Sequence, residues 1–482
     1  MDKNRNVTHK TDTPAHKIII LGGGPGGYEA ALVAASLGAD VTIIENKGLG
    51  GSAVLTDVVP SKTLIASAEL MARISEAADL GITLGEPGDE QSPNVNMTKV
   101  NQRLLKLAQS QSADITRSLE RAGVKIINGR GKLLDAHTVQ VTDSEGLTYE
   151  LTSEYLLLAV GTHPRELDTA KPDGQRILNW TQLYNLEELP PKLIVVGSGV
   201  TGAEFASAYN GLGSDVTLIS SRDRVLPGED EDAANVLENV FDRRGVKVLQ
   251  RSRAEAAEYT PDGNGVIVTL SDGRKVSGSH VLIAVGSIPN TADLGLDNAG
   301  VETSDSGHIQ VDRVSRTNVP NIYAAGDCTG VYTLASVAAM QGRIAIAHLM
   351  GDTVKPLRTH LVAANIFTSP EIATVGVTES EIAAGKYQAD TMTLSLTTNA
   401  RAKMMAVKDG FIKIFARKHS GTVIGGVVVG PRASELIFSI ALAIDHKMHV
   451  DDVAETFNVY PSLSGTISEA ARRLHSSAST EF

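Results

Sequence analysis

Apolar residues along this chain gather in short runs, some carrying a single threonine, rather than in alternation. Ile18–Leu21, Val41–Ile44, Leu193–Val196 and Val216–Ile219 each read as a strand buried on both faces. Between the members of each pair stands a glycine-rich turn, Gly22-Gly23-Gly24-Pro25-Gly26-Gly27 or Gly197-Ser198-Gly199-Val200-Thr201-Gly202. An Ala-rich stretch follows each turn and ends at Leu37-Gly38 or Gly213, where glycine suits a helix C-cap. The grammar strand–turn–helix–strand therefore occurs twice and predicts two dinucleotide-binding domains. The phrases Leu157-Leu158-Ala159-Val160-Gly161-Thr162 and Leu282-Ile283-Ala284-Val285-Gly286-Ser287 repeat as well, so the pattern looks like an internal duplication. Past it, strands Gly410–Ala416 and Val423–Val429 with a helix over Ala433–Asp445 predict an α+β region. Residues 1–15 read as a disordered polar tail and Gly85–Pro93 as a surface loop.

Length and charge narrow the options. The 482 residues suggest about three domains. No apolar run approaches the ~20 residues of a membrane span. Forty-four Lys and Arg against 56 Asp and Glu give a net charge of −12, which disfavours nucleic acid or an anionic membrane as partner. A single cysteine, Cys328, excludes a disulfide framework and any intrachain redox pair of thiols. The polar start lacks an apolar leader, and a cytoplasmic protein is expected.

The first glycine turn carries the most specific signal. Gly22 permits a tight turn, Gly24 lets a pyrophosphate approach the backbone, and Gly27 packs helix on strand, with phosphates at a helix N-terminus. Glu45 closes the next strand and is placed for ribose hydroxyls. In the second turn Gly197, Gly199 and Gly202 repeat the spacing, but Ser220, Ser221 and Arg222 stand where an acid would bind a 2′-hydroxyl. Losing that acid lifts repulsion of a 2′-phosphate; a solvated arginine on a polar turn is the plainer alternative. The Gly326-Asp327 phrase sets an aspartate where it could bond a ribityl hydroxyl. His446 and His449 lie three apart at a helix end, but no further ligand joins them, so no metal is expected. Cys328 reads as a small buried residue.

In order, the chain carries the Gly-rich opening with Glu45, Gly50-Gly51, Pro60-Ser61-Lys62, the second turn with Glu204, Gly286-Ser287-Ile288-Pro289-Asn290, and Gly326-Asp327. Together these resemble the FAD-dependent pyridine nucleotide-disulfide oxidoreductases over residues 16–475. The resemblance implies a glutathione reductase-like α/β fold: two Rossmann-like dinucleotide-binding domains plus a C-terminal α+β dimerisation domain. It divides the chain into an FAD domain over 16–165 and 291–355, an NAD(P)H domain over 166–290, and an interface domain over 356–482 that forms a homodimer. It also implies contacts to FAD from Gly51, Ser52, Lys62, Gly131, Gly161, Thr162, Asp327, Thr333, Leu334 and Ala335. Contacts to NADH or NADPH would come from Gly197, Gly199, Gly202, Glu204, Ser220, Ser221, Arg222 and Gly286.

The departures from that family bear on function. Its redox pair, Gly-Gly-x-Cys-x4-Cys-x-Pro-Ser-Lys, reads here with Ala53 and Val58 in the cysteine positions. Its terminal His-Pro-Thr-x-x-Glu reads Tyr460-Pro461-Ser462-Leu463-Ser464-Gly465, so the thiol acid/base and its partner are gone. A disulfide relay needs a thiolate and a proton manager. Lys62 and Glu204 match the family's ion pair beside the flavin, which would stabilise negative charge on the reduced ring. The arrangement is similar to the NAD(P)H:quinone reductases of this family. The expected activity is hydride transfer from NAD(P)H to FAD and on to a quinone, with Tyr460 filling the old histidine space or supplying a proton. A pyridine nucleotide transhydrogenase and a non-catalytic flavoprotein scaffold are the alternatives.

Overall fold

The computed structural model describes residues 16–82 and 93–478; the expected tail over 1–15 and nearly all of the Gly85–Pro93 loop lie outside them. The chain divides into two compact units. In the first, five strands run parallel in the order Ile322–Ala324, Tyr155–Leu158, Lys17–Leu21, Asp40–Glu45 and Lys125–Leu133. The last of these is long enough to serve two ladders. Its first half pairs with Asp40–Glu45, and its second half turns antiparallel to Thr138–Asp143, which carries Thr148–Thr152. Ile19, Leu21, Ile44, Leu156, Leu158, Leu133 and Val139 form the core beneath the sheet. Strands covered on both faces have no polar side to display, which is why they appear as apolar runs.

The second unit repeats this plan. Ile177–Asn179, His280–Ile283, Lys192–Val196, Asp215–Ile219 and Lys247–Leu249 form a parallel sheet in the same order, and Ala254–Tyr259, Val266–Leu270 and Lys275–Gly278 form the antiparallel annex. The same unit holds the C-terminal sheet, antiparallel throughout: Ala364–Ile366, Glu371–Gly376, Val423–Gly430, Phe411–Arg417, Ala389–Ser395. Helices Ala433–Asp445 and Gly465–Ala478 place Ile437, Ile440, Ile467 and Leu474 in its core. The sequence anticipated the two long strands and the helix here, but not that five strands would join. Lys413, at the centre of the Phe411–Arg417 strand, is fully buried, with its ammonium bonded to Asp230, Asp232 and Glu379 at 2.6–2.9 Å. Burial opposes the charge, but the three carboxylates outweigh it and hold the amine well above its ordinary range.

Candidate functional site

Each glycine turn is fixed by contacts that only glycine permits. Gly22 has φ +101°, and a Cβ there would lie 2.2 Å from the Ala159 carbonyl oxygen; Gly197 has φ +111° and would meet Ala284 O at the same 2.2 Å. A Cβ on Gly27 would fall 2.0 Å from Gly22 O, and one on Gly202 would fall 1.8 Å from Gly197 O. Gly24 and Gly199 differ from these. Both have ordinary extended backbone as N-caps of helices Pro25–Ser36 and Val200–Leu212, and nothing lies within 4 Å of where a side chain would project. No side chain caps either helix. Open space, amides without a side-chain cap and the positive end of a helix dipole make each turn a fit for a pyrophosphate.

In the first unit, Glu45 ends its strand, accepting from Gly23 N at 2.6 Å and from the Asn46 and Lys47 amides at 2.8 and 2.6 Å. Gly51 presses on the turn, since a Cβ there would lie 2.8 Å from Gly24 Cα, and Ser52 beside it is exposed. Gly161 is open at φ +65°. Thr162 donates to Asp327 over a long 3.4 Å, and burial pushes the Asp327 carboxyl up. A half-buried carboxylate with so little protein bonding fits the acceptor for a polyol hydroxyl. Thr333 is exposed, and Leu334 caps the helix Ala335–Leu349. Gly131 is a packing glycine: a Cβ would stand 2.5 Å from the Leu21 side chain.

Sequence reasoning overlooked what holds Asp327 in place. Gln341, buried, accepts from Gly326 N at 2.8 Å, and Gly342 lets its helix close on Gly26, where a Cβ would be 2.2 Å from Gly26 O. The available signal was small residues four apart on both helices, Gly26/Ala30 and Ala338/Gly342. Cys328 is fully buried; burial pushes its thiol up to about 11, which suits a packing residue.

The second unit brings Lys62 and Glu204 together. Helices Val58–Ser75 and Val200–Leu212 pack closely, a Cβ on Gly211 meeting Ala68 O at 3.3 Å. Lys62 Nζ then lies 2.8 Å from Glu204 Oε2, with the glutamate 5% exposed and the lysine 27%. Phe367, absent from the sequence reading, donates its amide to Glu204 Oε1 at 2.8 Å and sets its ring 5.0 Å from the ammonium.

Ser220 is fully buried, its Oγ bonded to Ser198 Oγ at 2.7 Å and to the Arg222 amide at 3.1 Å. Ser221 and Arg222 are the exposed groups at that strand end, and Gly286 is open. Val58 opens its helix and is 36% exposed; Ala53, in helix Gly51–Leu55, is half-buried. Tyr460 is 86% exposed in a stretch with bare Phe457 and Val459. His446 ends helix Ala433–Asp445, whereas His449 caps Val450–Glu455 and accepts from Asp451 N.

The family model described as pyridine nucleotide-disulphide oxidoreductase matches residues 16–342, and that family's dimerisation domain matches 362–471. The chain belongs to the pyridine nucleotide-disulphide oxidoreductase family. Members bind FAD and use NAD(P)H. A Mycobacterium tuberculosis protein named NAD(P)H dehydrogenase (quinone) is 52% identical over 467 residues, spanning 95% of this chain and 94% of that protein. Dihydrolipoyl dehydrogenase of Bacillus subtilis is 33% identical, spanning 96% of both chains. The crystal structure of LpdA from M. tuberculosis superposes with a TM-score of 0.90 at 52% identity, covering 95% of this chain and 100% of that one. Family membership bears out the glutathione reductase-like fold expected from the sequence. Among the described residues no helix is long and apolar enough to cross a membrane.

Proposed function

We propose that this chain is an FAD-dependent NAD(P)H:quinone reductase that works without a disulfide. One observation carries the reading. Ala53 and Val58 occupy the family's two thiol positions, while the Lys62–Glu204 pair is intact at 2.8 Å. The 52% identity to a protein named for quinone reduction supports it. The reaction balances as NAD(P)H plus a proton plus quinone giving NAD(P)⁺ and hydroquinone. FAD, when bound, supplies the two-electron carrier between the two substrates.

The protein's own groups bind and orient. Gly24, at its open N-cap, and Glu45 hold one nucleotide; Asp327 and Thr162 take its polyol chain. Gly199, Gly286, Ser221 and Arg222 hold the other. Lys62 supplies fixed positive charge for the reduced ring, and Glu204 fixes Lys62. With Ala53 and Val58 in place of the two thiols, and Tyr460 and Gly465 in place of the family's histidine and glutamate, lipoamide and glutathione disulfide are not substrates. A transhydrogenase would need a second nicotinamide as acceptor, and no group observed here favours that over a flat apolar one.

We keep as a proposal the division that the family resemblance implies: FAD over 16–165 and 291–355, NAD(P)H over 166–290, interface over 356–482. A homodimer in the cytoplasm completes the reading, with a second copy covering Phe457, Val459 and Tyr460; bare large apolar side chains in one stretch are the mark of such a surface. Steady-state NADH and NADPH oxidation against benzoquinones, naphthoquinones, lipoamide and thio-NAD tests the function. Rapid turnover of quinones alone is expected, and measurable lipoamide turnover by pure protein overturns it.

A further inference from the structure

We propose that the short segment Phe367–Ser369 is a positioning strap for the Lys62–Glu204 pair, with Phe367 its positioning residue. This rests on the reading of Lys62 as the fixed charge for the flavin.

Three contacts bolt the strap to helix Val200–Leu212 and its neighbours. Phe367 N donates to Glu204 Oε1 at 2.8 Å, Ser369 N donates to Ser207 Oγ at 3.0 Å, and Arg244 Nη1 donates to Ser369 O at 3.2 Å. The match follows from periodicity. Glu204 and Ser207, three apart on a helix, share a face, and the chain bending at Thr368–Ser369 presents the Phe367 and Ser369 amides to it. The strap directly follows strand Ala364–Ile366, so the antiparallel sheet fixes where it begins.

Both members of the ion pair are thereby constrained. Glu204 is almost fully buried, and each of its oxygens has one partner: Lys62 on Oε2 and the Phe367 amide on Oε1. A buried carboxylate oxygen without a donor would be costly, so the amide bond holds the Glu204 carboxylate in this orientation. The Phe367 ring, 5.0 Å from Nζ, faces the ammonium and attracts it to that position. Charge held in place beforehand requires no reorganisation when negative charge develops opposite it. A ring present only for packing would not place its amide and its face on the two halves of one pair.

The test uses full-length, FAD-loaded protein carrying Phe367→Leu, which keeps the amide and removes the ring face, beside Phe367→Tyr. Flavin bleaching by NADH is followed by stopped flow with no acceptor present. Acetylation of Lys62 is read separately by peptide mass spectrometry. We expect Phe367→Leu to bleach about 5- to 30-fold more slowly at saturating NADH, with KM unchanged and Lys62 acetylated faster. Phe367→Tyr should stay within about twofold of wild type in both readouts. Phe367→Leu matching wild type in both overturns the proposal. If Phe367→Leu does not fold, Ser207→Ala, which removes only the Ser369 anchor, must shift both readouts the same way; no shift overturns it equally. A protein that bleaches but reduces no quinone overturns the proposed function and leaves the strap standing.

Discussion

The two glycine turns are one design used twice, with the glycines of the second turn 175 positions after those of the first. Gly22 N donates to Ile44 O and Gly197 N to Ile219 O; Gly50 N donates to Gly23 O where Leu226 N donates to Ser198 O. The forbidden Cβ positions agree to 0.2 Å. What differs lies in side chains at equivalent places. Glu45 accepts from Gly23 N, whereas its counterpart Ser220 bonds the counterpart of Gly23, Ser198. Glu29 pairs with Arg343 at 3.0 Å, both partly exposed, but its counterpart Glu204 is buried against Lys62. Tyr155, set against Ile18, becomes His280, set against Leu193. Backbone sterics hold the turn constant, because a side chain at Gly22 or Gly27, or at Gly197 or Gly202, strikes a carbonyl. Positions outside those contacts carry different chemistry in each copy.

The largest test separates the two glutamates. Glu204→Gln should keep FAD and slow bleaching by NADH about 10²–10³-fold, the usual loss for a stabilising group in a reaction centre. Glu29→Gln, at the equivalent place, should leave that rate alone and alter stability by no more than ~1 kcal/mol. Equal rates in the two variants would mean that the copies have not diverged in function.

Alanine at the open glycines comes next. Gly24→Ala and Gly199→Ala meet no protein atom, so melting of apoprotein should hardly move. Gly24→Ala should weaken FAD binding, and Gly199→Ala should raise KM for NAD(P)H with FAD retained, each by about tenfold or more as the methyl blocks phosphate approach. Fluorescence titration and steady-state kinetics read the two separately. A crossed result would reverse the assignment of nucleotides to turns.

A third variant converts one copy toward the other. A Cβ on Gly23 would lie 3.0 Å from Glu45 Cγ, so a glutamate at 220 needs glycine at 198. Ser198→Gly with Ser220→Glu should lower kcat/KM for NADPH about tenfold while sparing NADH, since an acid there repels a 2′-phosphate. An equal effect on both nucleotides places the 2′ site elsewhere.

The smallest concerns acid. Burial, aided by the charge of Arg176, pushes the His280 imidazole down to about 4 from its usual 6.5. The fold therefore prefers neutral imidazole. Stability is complete above about pH 6.5 and is lost as pH falls toward 4, because the unfolded chain takes up the proton first. His280→Tyr, which installs the residue of the other copy, should recover about 1–2 kcal/mol of that loss at this half-buried site. Urea melts at pH 7.5 and 4.5 measure it; an unchanged difference between the two pH values removes His280 as the cause.

The sequence by itself determined the duplicated architecture. Buried parallel strands must be apolar and tight turns must be glycine, so both leave marks in one dimension at fixed spacing. It also determined that no thiol pair exists, since Ala53 and Val58 stand in those places whatever the fold. Only the tertiary structure decided that Ser220 turns inward to Ser198, that Phe367 grips both halves of the Lys62–Glu204 pair, and that Lys413 is buried among three carboxylates. These contacts join residues 22 to 183 positions apart. Hydrogen bonds and ion pairs between distant side chains have no period and no local propensity, so nothing in the linear order announces them.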